Sequence, residues 1–210
     1  VLSAPDTATL VEMILSQSSG IIKSFKKGEI AERQRRTLKS TLNQNALQDR
    51  FGIDLTIPSA YNVFKEGNSA VWFQREIRKG HVNLIVYELP RTTALDFEQP
   101  LMDIIRIRDS VGHAFIPGRL TNTHLITEAA YEPYVYKTTI NGMRAVETRG
   151  TWEVKGDFMA GPFLQVLLDD KKNSRFLVME GFVFAPTVAK RDYVFETEAI
   201  MQSIQQVKKD

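Results

Sequence analysis

Nothing constrains this chain more than the run Phe176-Leu177-Val178-Met179-Glu180-Gly181-Phe182-Val183-Phe184. Apolar side chains occupy both alternating sets of positions, so a strand built from it turns apolar faces both ways. Only a sheet with a layer packed on each side buries such a strand. The charge inside it, Glu180, needs a partner in that setting. Arg149 or Arg175 would serve. A structural ion pair is the first reading of Glu180 and a shifted catalytic carboxylate the alternative.

Ahead of that run the pattern is helical and charged. Asp6 is placed to cap a helix. Leu10, Val11, Ile14, Ile21, Ile22 and Phe25 follow at roughly helical spacing, which weakens near Gly20 and Gly28 and resumes at Ala31, Leu38 and Leu42. This predicts one long helix, or two with a break, from about Asp6 to Leu47. Its second half is polar on most faces and must lean one narrow stripe on something or project into solvent. Phe51-Gly52 closes the region. From Ile53 the period becomes two, with Ile53, Leu55 and Ile57 alternating with Asp54 and Thr56 until Pro58. Strands are then expected over 62–65, 71–77 and 82–88, and a helix over 96–111 with Pro100 in its first turn and Gly112 as its stop. Further strands are expected over 124–129, 134–140, 143–154, 163–168 and 175–184, and a last helix over 190–204. Asn141-Gly142 is the strongest hairpin signal. The order gives an α+β fold: a largely antiparallel sheet with helices on its faces and a long N-terminal helix. Residues 1–50 form the charged helical segment and 51–210 the sandwich, as one unit overall.

Charge is nearly balanced, 27 Lys and Arg against 25 Asp and Glu, which argues against nucleic acid as the main partner. The local excess between Lys23 and Lys39 contains only Phe25 as an aromatic, so it offers no platform for stacking bases. It reads first as a solvated helix face and otherwise as a phosphate-binding or partner-binding face. The chain has no cysteine, which excludes disulfides, thiolate nucleophiles and cysteine-held metals. No Gly-x-Ser-x-Gly elbow, His-Glu-x-x-His pair or glycine-rich phosphate loop is present. His81, His113 and His124 are dispersed, and His124 and Glu128 stand about 13 Å apart along a strand, so no metal site or other cofactor is expected.

Candidate site residues lie in three places. On the strand over 143–154, Arg149 and Glu153 share one face with Glu147 and Thr151, while Trp152 falls on the other with Val146, Thr148, Gly150 and Val154. This reads as a half-buried strand, or as a groove lined by Arg149 and Glu153 with Trp152 beneath. Gly156 and Gly161 bracket Phe158 and Met159, a contact tip if exposed. Lys190 and Arg191 oppose the dipole at the start of the last helix, next to Tyr193, and imply an anionic or carboxylate partner.

Two segments, Glu147-Thr-Arg-Gly-Thr-Trp-Glu-Val-Lys-Gly-Asp-Phe-Met-Ala-Gly-Pro-Phe163 and Glu180-Gly-Phe-Val-Phe-Ala-Pro186, with Lys190-Arg-Asp-Tyr193, resemble a family of Bacteroidetes envelope lipoproteins, a domain of unknown function. The stretch His113 to Gly118 resembles that family's short His-x-Pro-Gly loop but departs from it in an additional Phe115-Ile116 pair and in Arg119. The order of elements is also similar to the α/β/α sandwich of the photosystem extrinsic proteins and Ran-binding Mog1. The family likeness implies a signal peptide and a lipid-bearing cysteine upstream of Val1, and a place in the cell envelope, outer membrane included. It implies no reaction and no cofactor.

The expected function is therefore a non-enzymatic envelope domain that binds a protein partner as an accessory subunit, touching the membrane only through an upstream anchor. One rival is an enzyme using Glu180, Arg149 and Glu153. Another is a small-ligand or glycan binder using Trp152 and nearby tyrosines.

Overall fold

The computed structural model describes residues 2–207. The order of elements is α1 (Thr7–Thr37), α2 (Ala46–Phe51), β1 (Ile53–Asp54), β2 (Asn62–Glu66), β3 (Ala70–Ile77), β4 (Gly80–Pro90), α3 (Leu101–Phe115), β5 (His124–Thr127), β6 (Tyr134–Ile140), β7 (Met143–Lys155), β8 (Ala160–Asp170), β9 (Arg175–Phe184), α4 (Arg191–Met201) and β10 (Gln205–Gln206), with one 3₁₀ turn at Lys171–Asn173. Eight strands make one sheet in the order β2-β3-β4-β9-β8-β7-β5, with β6 also on β7, and every pairing is antiparallel. The expected α+β sandwich is the observed one. Asn141 and Gly142 both take positive φ, 48° and 78°, in the turn between β6 and β7, the geometry a two-residue hairpin needs.

β9 lies at the centre and is covered on both sides. Leu177, Met179 and Val183 face a core closed by α2, the segment Ile53–Tyr61 and α4. Phe176, Val178 and Phe182 face a second core closed by α3 through Ile104 and Ile107. Each fully buried aliphatic or aromatic side chain of this kind contributes about 1.5–3 kcal/mol. α4 reaches the first face because β9 carries a glycine where it crosses: a Cβ on Gly181 would stand 2.3 Å from Thr197.

The structure redraws several boundaries. The first helix runs through Gly20 and Gly28 without a break but ends at Thr37. Thereafter the chain is extended: Leu42 N donates to Ile57 O at 2.8 Å and Thr41 bridges Pro58, so backbone pairing takes the groups a continued helix would use. α2 is a separate short helix, closed by Gly52 in the left-handed region. In the run Ile53–Ile57 burial alternates as the period predicts, yet the strand itself is only Ile53–Asp54, paired with β10. α3 starts at Leu101, later than expected, and passes Gly112. A Cβ there would meet Leu125 O at 2.1 Å, so this glycine serves the close approach of α3 to β5 and does not stop the helix. The last helix ends at Met201, where the chain turns to form β10.

Register corrects the expected ion pair. Glu180 stands opposite Gln165, which stands opposite Thr148; Arg149 aligns instead with Leu164 and Gly181. Side chains alternate along each strand, so Arg149 and Glu180 project from opposite faces of the sheet. The partner of Glu180 is Arg108 of α3.

Candidate functional site

Two groups of buried charge sit on the two faces. Beneath α3, Arg108 Nε and Nη2 donate to Glu180 Oε1 at 3.0 and 2.8 Å, and both side chains are almost wholly buried. Arg108 Nη1 donates to Thr127 Oγ1 at 2.9 Å, and the guanidinium lies over the Phe163 ring at 3.8 Å. Gln165 Nε2 reaches both Glu180 Oε2 (3.3 Å) and the Tyr87 hydroxyl (3.2 Å). Burial, then the Glu180 charge, pushes the Tyr87 phenol well above its ordinary value. The expectation of a paired structural carboxylate holds; its partner was misassigned. Sequence offered one signal for Arg108: it stands one turn from Ile104 on the apolar stripe of its helix.

On the other face, α4 carries Glu196 and Glu198, 2% and 3% exposed. Glu196 accepts a hydrogen bond from the Tyr61 hydroxyl at 2.9 Å and pairs with Arg75 at 3.1 Å and with Arg33 of α1. Glu198 pairs with Lys26 of α1 and, at 2.9 Å, with Arg149 of β7. Gln34 Nε2 donates to Ala199 O at 2.9 Å. These contacts clamp the second half of α1 onto α4, whereas the only buried side chain on the helix is Ile30. Burial disfavours the Arg149 charge, but Glu147 and Glu198 outweigh it and raise its pKa. Sequence reasoning missed both glutamates. Glu196 lies four residues before Ile200 on the buried face of the helix, a position that called for inspection.

The first half of α1 has no such support. Val11, Ile14, Leu15, Ile22 and Phe25 are exposed, the last by 71%. Positions 11, 14, 15, 22 and 25 follow the spacing of a seam for a second helix. The seam opens into a cleft of about 740 Å³ between α1 and α4, lined by Ile22, Phe25, Arg149, Pro162, Arg191 and Phe195 among others. Across β7, Tyr134 aligns with Arg149 and Tyr136 with Glu147, placing two exposed tyrosines on the sheet face that carries Arg149.

The remaining candidates scatter. Lys190 is the N-cap of α4 and Arg191 its first residue; Lys190 Nζ donates to Val188 O at 3.3 Å, and among the described residues neither forms an ion pair. Tyr193 is half-buried, with the Arg75 guanidinium 5.6 Å from its ring. Phe158 is fully exposed while Met159 folds back, 8% exposed, its carbonyl accepting from Val154 N at 2.8 Å; the tip is thus half contact surface and half core. Glu153 is half-buried and stands about 13 Å along β7 from Arg149. Trp152 is buried on the α3 face, so no groove has Arg149 and Glu153 as walls and Trp152 as floor. His113 at the end of α3 and His124 at the start of β5 meet with Nδ1 atoms 3.3 Å apart, and burial with the His113 charge lowers the His124 pKa.

The molecule is thus an α/β/α sandwich with a helix clamped along one side by charge and left bare over its outer half. Residues 40–203 match the model of a family described as a domain of unknown function, DUF4837, and the chain belongs to that family. No curated protein matches it. Among solved structures, a protein of Bacteroides thetaiotaomicron VPI-5482 is similar over 75% of this chain and 46% of its own length, at 10% identity and a TM-score of 0.39. This chain therefore spans about half of that one. The Ran-binding protein Mog1p of Saccharomyces cerevisiae is similar over 74% of this chain and 90% of its own, at 9% identity and a TM-score of 0.48. LpqN of Mycobacterium tuberculosis, involved in cell envelope biogenesis, is similar over 72% and 81%, at 12% identity and a TM-score of 0.40. Among the described residues, no helix is long and apolar enough to cross a membrane.

Proposed function

We propose that this chain is a non-enzymatic, protein-binding domain of the cell envelope, and that the outer half of α1 is its recognition element. One observation carries the reading: the apolar seam Val11, Ile14, Leu15, Ile22 and Phe25 is exposed on a helix whose other half is held by buried ion pairs. A helix so anchored presents its seam at low cost in order. The occupant we assign is a helix of a partner protein that is apolar on one stripe. Exposed Tyr134 and Tyr136 extend the surface with residue types that protein interfaces favour.

The enzymatic rival loses its constellation, since Glu180 is bound by Arg108, Arg149 faces the other side of the sheet, and Glu153 stands apart. The envelope setting rests on the sequence likeness carried by Glu147–Phe163 and Glu180–Pro186, with membrane attachment through an anchor outside this chain.

The test is a photo-crosslinking residue placed at Leu15, and at Gln17 on the opposite side of the helix as control, in the full-length protein in its own cells. A discrete adduct from position 15 alone, lost with Ile22→Asp, supports the reading. Equal adducts from both positions, or none, overturn it. A purified chain that dimerises through this seam, and is made monomeric by Leu15→Glu, replaces the partner with a second copy. Recovery of the full-length protein in the cytosol removes the envelope part.

A further inference from the structure

The two ends of the large sheet differ in charge. Register brings four segments to one of them: 78–80 between β3 and β4, 185–190 after β9, 155–159 between β7 and β8, and 117–123 ahead of β5. With strands about 4.8 Å apart, the row extends about 20 Å along the end of the sheet. It holds the cations Arg78, Lys79, Arg119, Lys155 and Lys190, and one carboxylate, Asp157. Glu76, Glu153 and Asp192 stand further in, beside Arg75 and Arg191. The loops at the opposite end, 67–69, 91–100, 128–133, 141–142 and 171–174, hold more carboxylates than cations. The chain as a whole carries a net charge of +2, so the excess is one of placement.

Three of the four segments also raise an apolar side chain into solvent. Phe158 is fully exposed, Leu120 is 57% exposed and Val188 43%. The first two are braced. Arg119 donates to Asp157 through Nε and Nη2, both at 2.8 Å, and so ties the two loops together. Asp157 Oδ1 also accepts from Phe158 N at 2.8 Å, and Thr123 Oγ1 donates to Leu120 O at 2.6 Å. Apolar side chains held away from the core in this way meet another surface at little further cost in order.

We infer that this end of the sandwich docks on an anionic lipid surface, with Phe158 and Leu120 entering the headgroup layer and the cations around them meeting lipid phosphates. The contact is independent of the α1 seam and adds to any anchor outside this chain. Its apolar tips are single side chains on separate loops with cations between them, whereas a protein interface has a continuous apolar core. A headgroup layer accepts separate wedges, and its negative charge is spread along the surface as the cations are. Nucleic acid fits less well, since Phe158 is the one aromatic residue in the four segments.

The test is flotation of the full chain with vesicles of phosphatidylglycerol and phosphatidylcholine in equal parts, and with phosphatidylcholine alone, in about 0.1 M salt. Saturable binding to the first and not to the second is expected. Phe158→Ser should weaken it by about tenfold. Lys79→Gln and Lys155→Gln should each weaken it by about fivefold, while Lys172→Gln at the opposite end leaves it unchanged. These four side chains are exposed, so the variants should fold. Both native tryptophans are buried, so Phe158→Trp adds an emission that should shift to the blue on binding and be quenched by brominated acyl chains. Absence of binding, equal binding to both kinds of vesicle, or an affinity unmoved by Phe158→Ser and Lys79→Gln overturns the inference. So does an emission of Phe158→Trp that the vesicles leave in place. Loss of vesicle binding in Leu15→Glu, with Phe158→Ser unaffected, moves the contact to α1 and also overturns it. The α1 seam is judged by its own adducts, so the two readings fail separately. Tighter binding of single-stranded oligothymidylate than of the anionic vesicles overturns the inference in favour of nucleic acid.

Discussion

The two faces of the sheet bury carboxylates for different ends. Under α3, Glu180 and Arg108 are 3% and 1% exposed, and the helix around them also buries Ile104 and Ile107. Under α1, Glu196 and Glu198 are as deeply buried, but their partners Arg33, Arg75, Lys26 and Arg149 are 20–41% exposed, and the helix they hold buries little besides. In the first region charge completes a core that apolar contacts already define. In the second, charge replaces the apolar contact. A helix attached in this way is more easily loosened, and the comparison predicts a graded response to mutation, pH and salt.

The largest effect belongs to the interior pair. Arg108→Ala leaves a buried carboxylate without its cation, and Glu180→Gln leaves a buried guanidinium without its anion. Either should cost about 3–5 kcal/mol. For a domain of this size that lowers the melting temperature by on the order of 10 °C. Calorimetry of the two variants decides it, and a drop of a degree or less would mean that water reaches the pair. Next comes Glu196→Gln, which weakens the contacts to Tyr61, Arg75 and Arg33 together. Because those partners are part-exposed, about 1.5–3 kcal/mol is expected. Hydrogen exchange should rise along residues 26–37 while α3 is unchanged.

Both regions contain a tyrosine that burial, and then a glutamate, holds well above its ordinary pKa near 10: Tyr61 beside Glu196 and Tyr87 beside Glu180. The sign follows from proton binding. Above pH 10 the unfolded chain releases phenolic protons that the folded chain retains. The stability these groups contribute is intact below that pH and is lost as the pH rises. Denaturant titrations should therefore show stability falling from about pH 10 upward, and Tyr61→Phe or Tyr87→Phe should each flatten that fall. A slope unchanged by either variant would break the assignment.

Most of the sheet was legible because period-two patterning survives in single strands. β6 falls where alternation and the Asn141-Gly142 turn place it, and β9 where the run apolar on both faces places it. The need of Glu180 for a cation was legible for the same reason. Its partner was not, because choosing between Arg149 and Arg108 requires the register of β7, β8 and β9, and one residue of register exchanges the faces. Gly112 misled for a related reason: a glycine that ends a helix and one that admits a neighbouring backbone look alike until the neighbour is known. The clamp on α1 was hidden because Arg33, Lys26, Glu196 and Glu198 read locally as ordinary charged helix faces. Their meaning lies in a contact between residues more than 150 positions apart.

Salt and the outer seam give the smallest effects on stability. At about 1 M salt the screening length is about 3 Å, so the part-exposed pairs of α1 weaken while Arg108–Glu180 does not. Exchange along residues 26–37 should accelerate relative to α3, with little change in the global midpoint. At the seam itself Leu15→Glu and Phe25→Ser should change stability by no more than about 0.5 kcal/mol, since both side chains are 71% exposed and pack on no core. That near-silence is informative. A stability change of several times that size would show the seam to be covered within the molecule, and the two halves of α1 would then be held alike. If stability is unmoved while the position-15 adduct disappears, the exposed apolar stripe does its work against another molecule, and the charged half of the helix is what holds it in place.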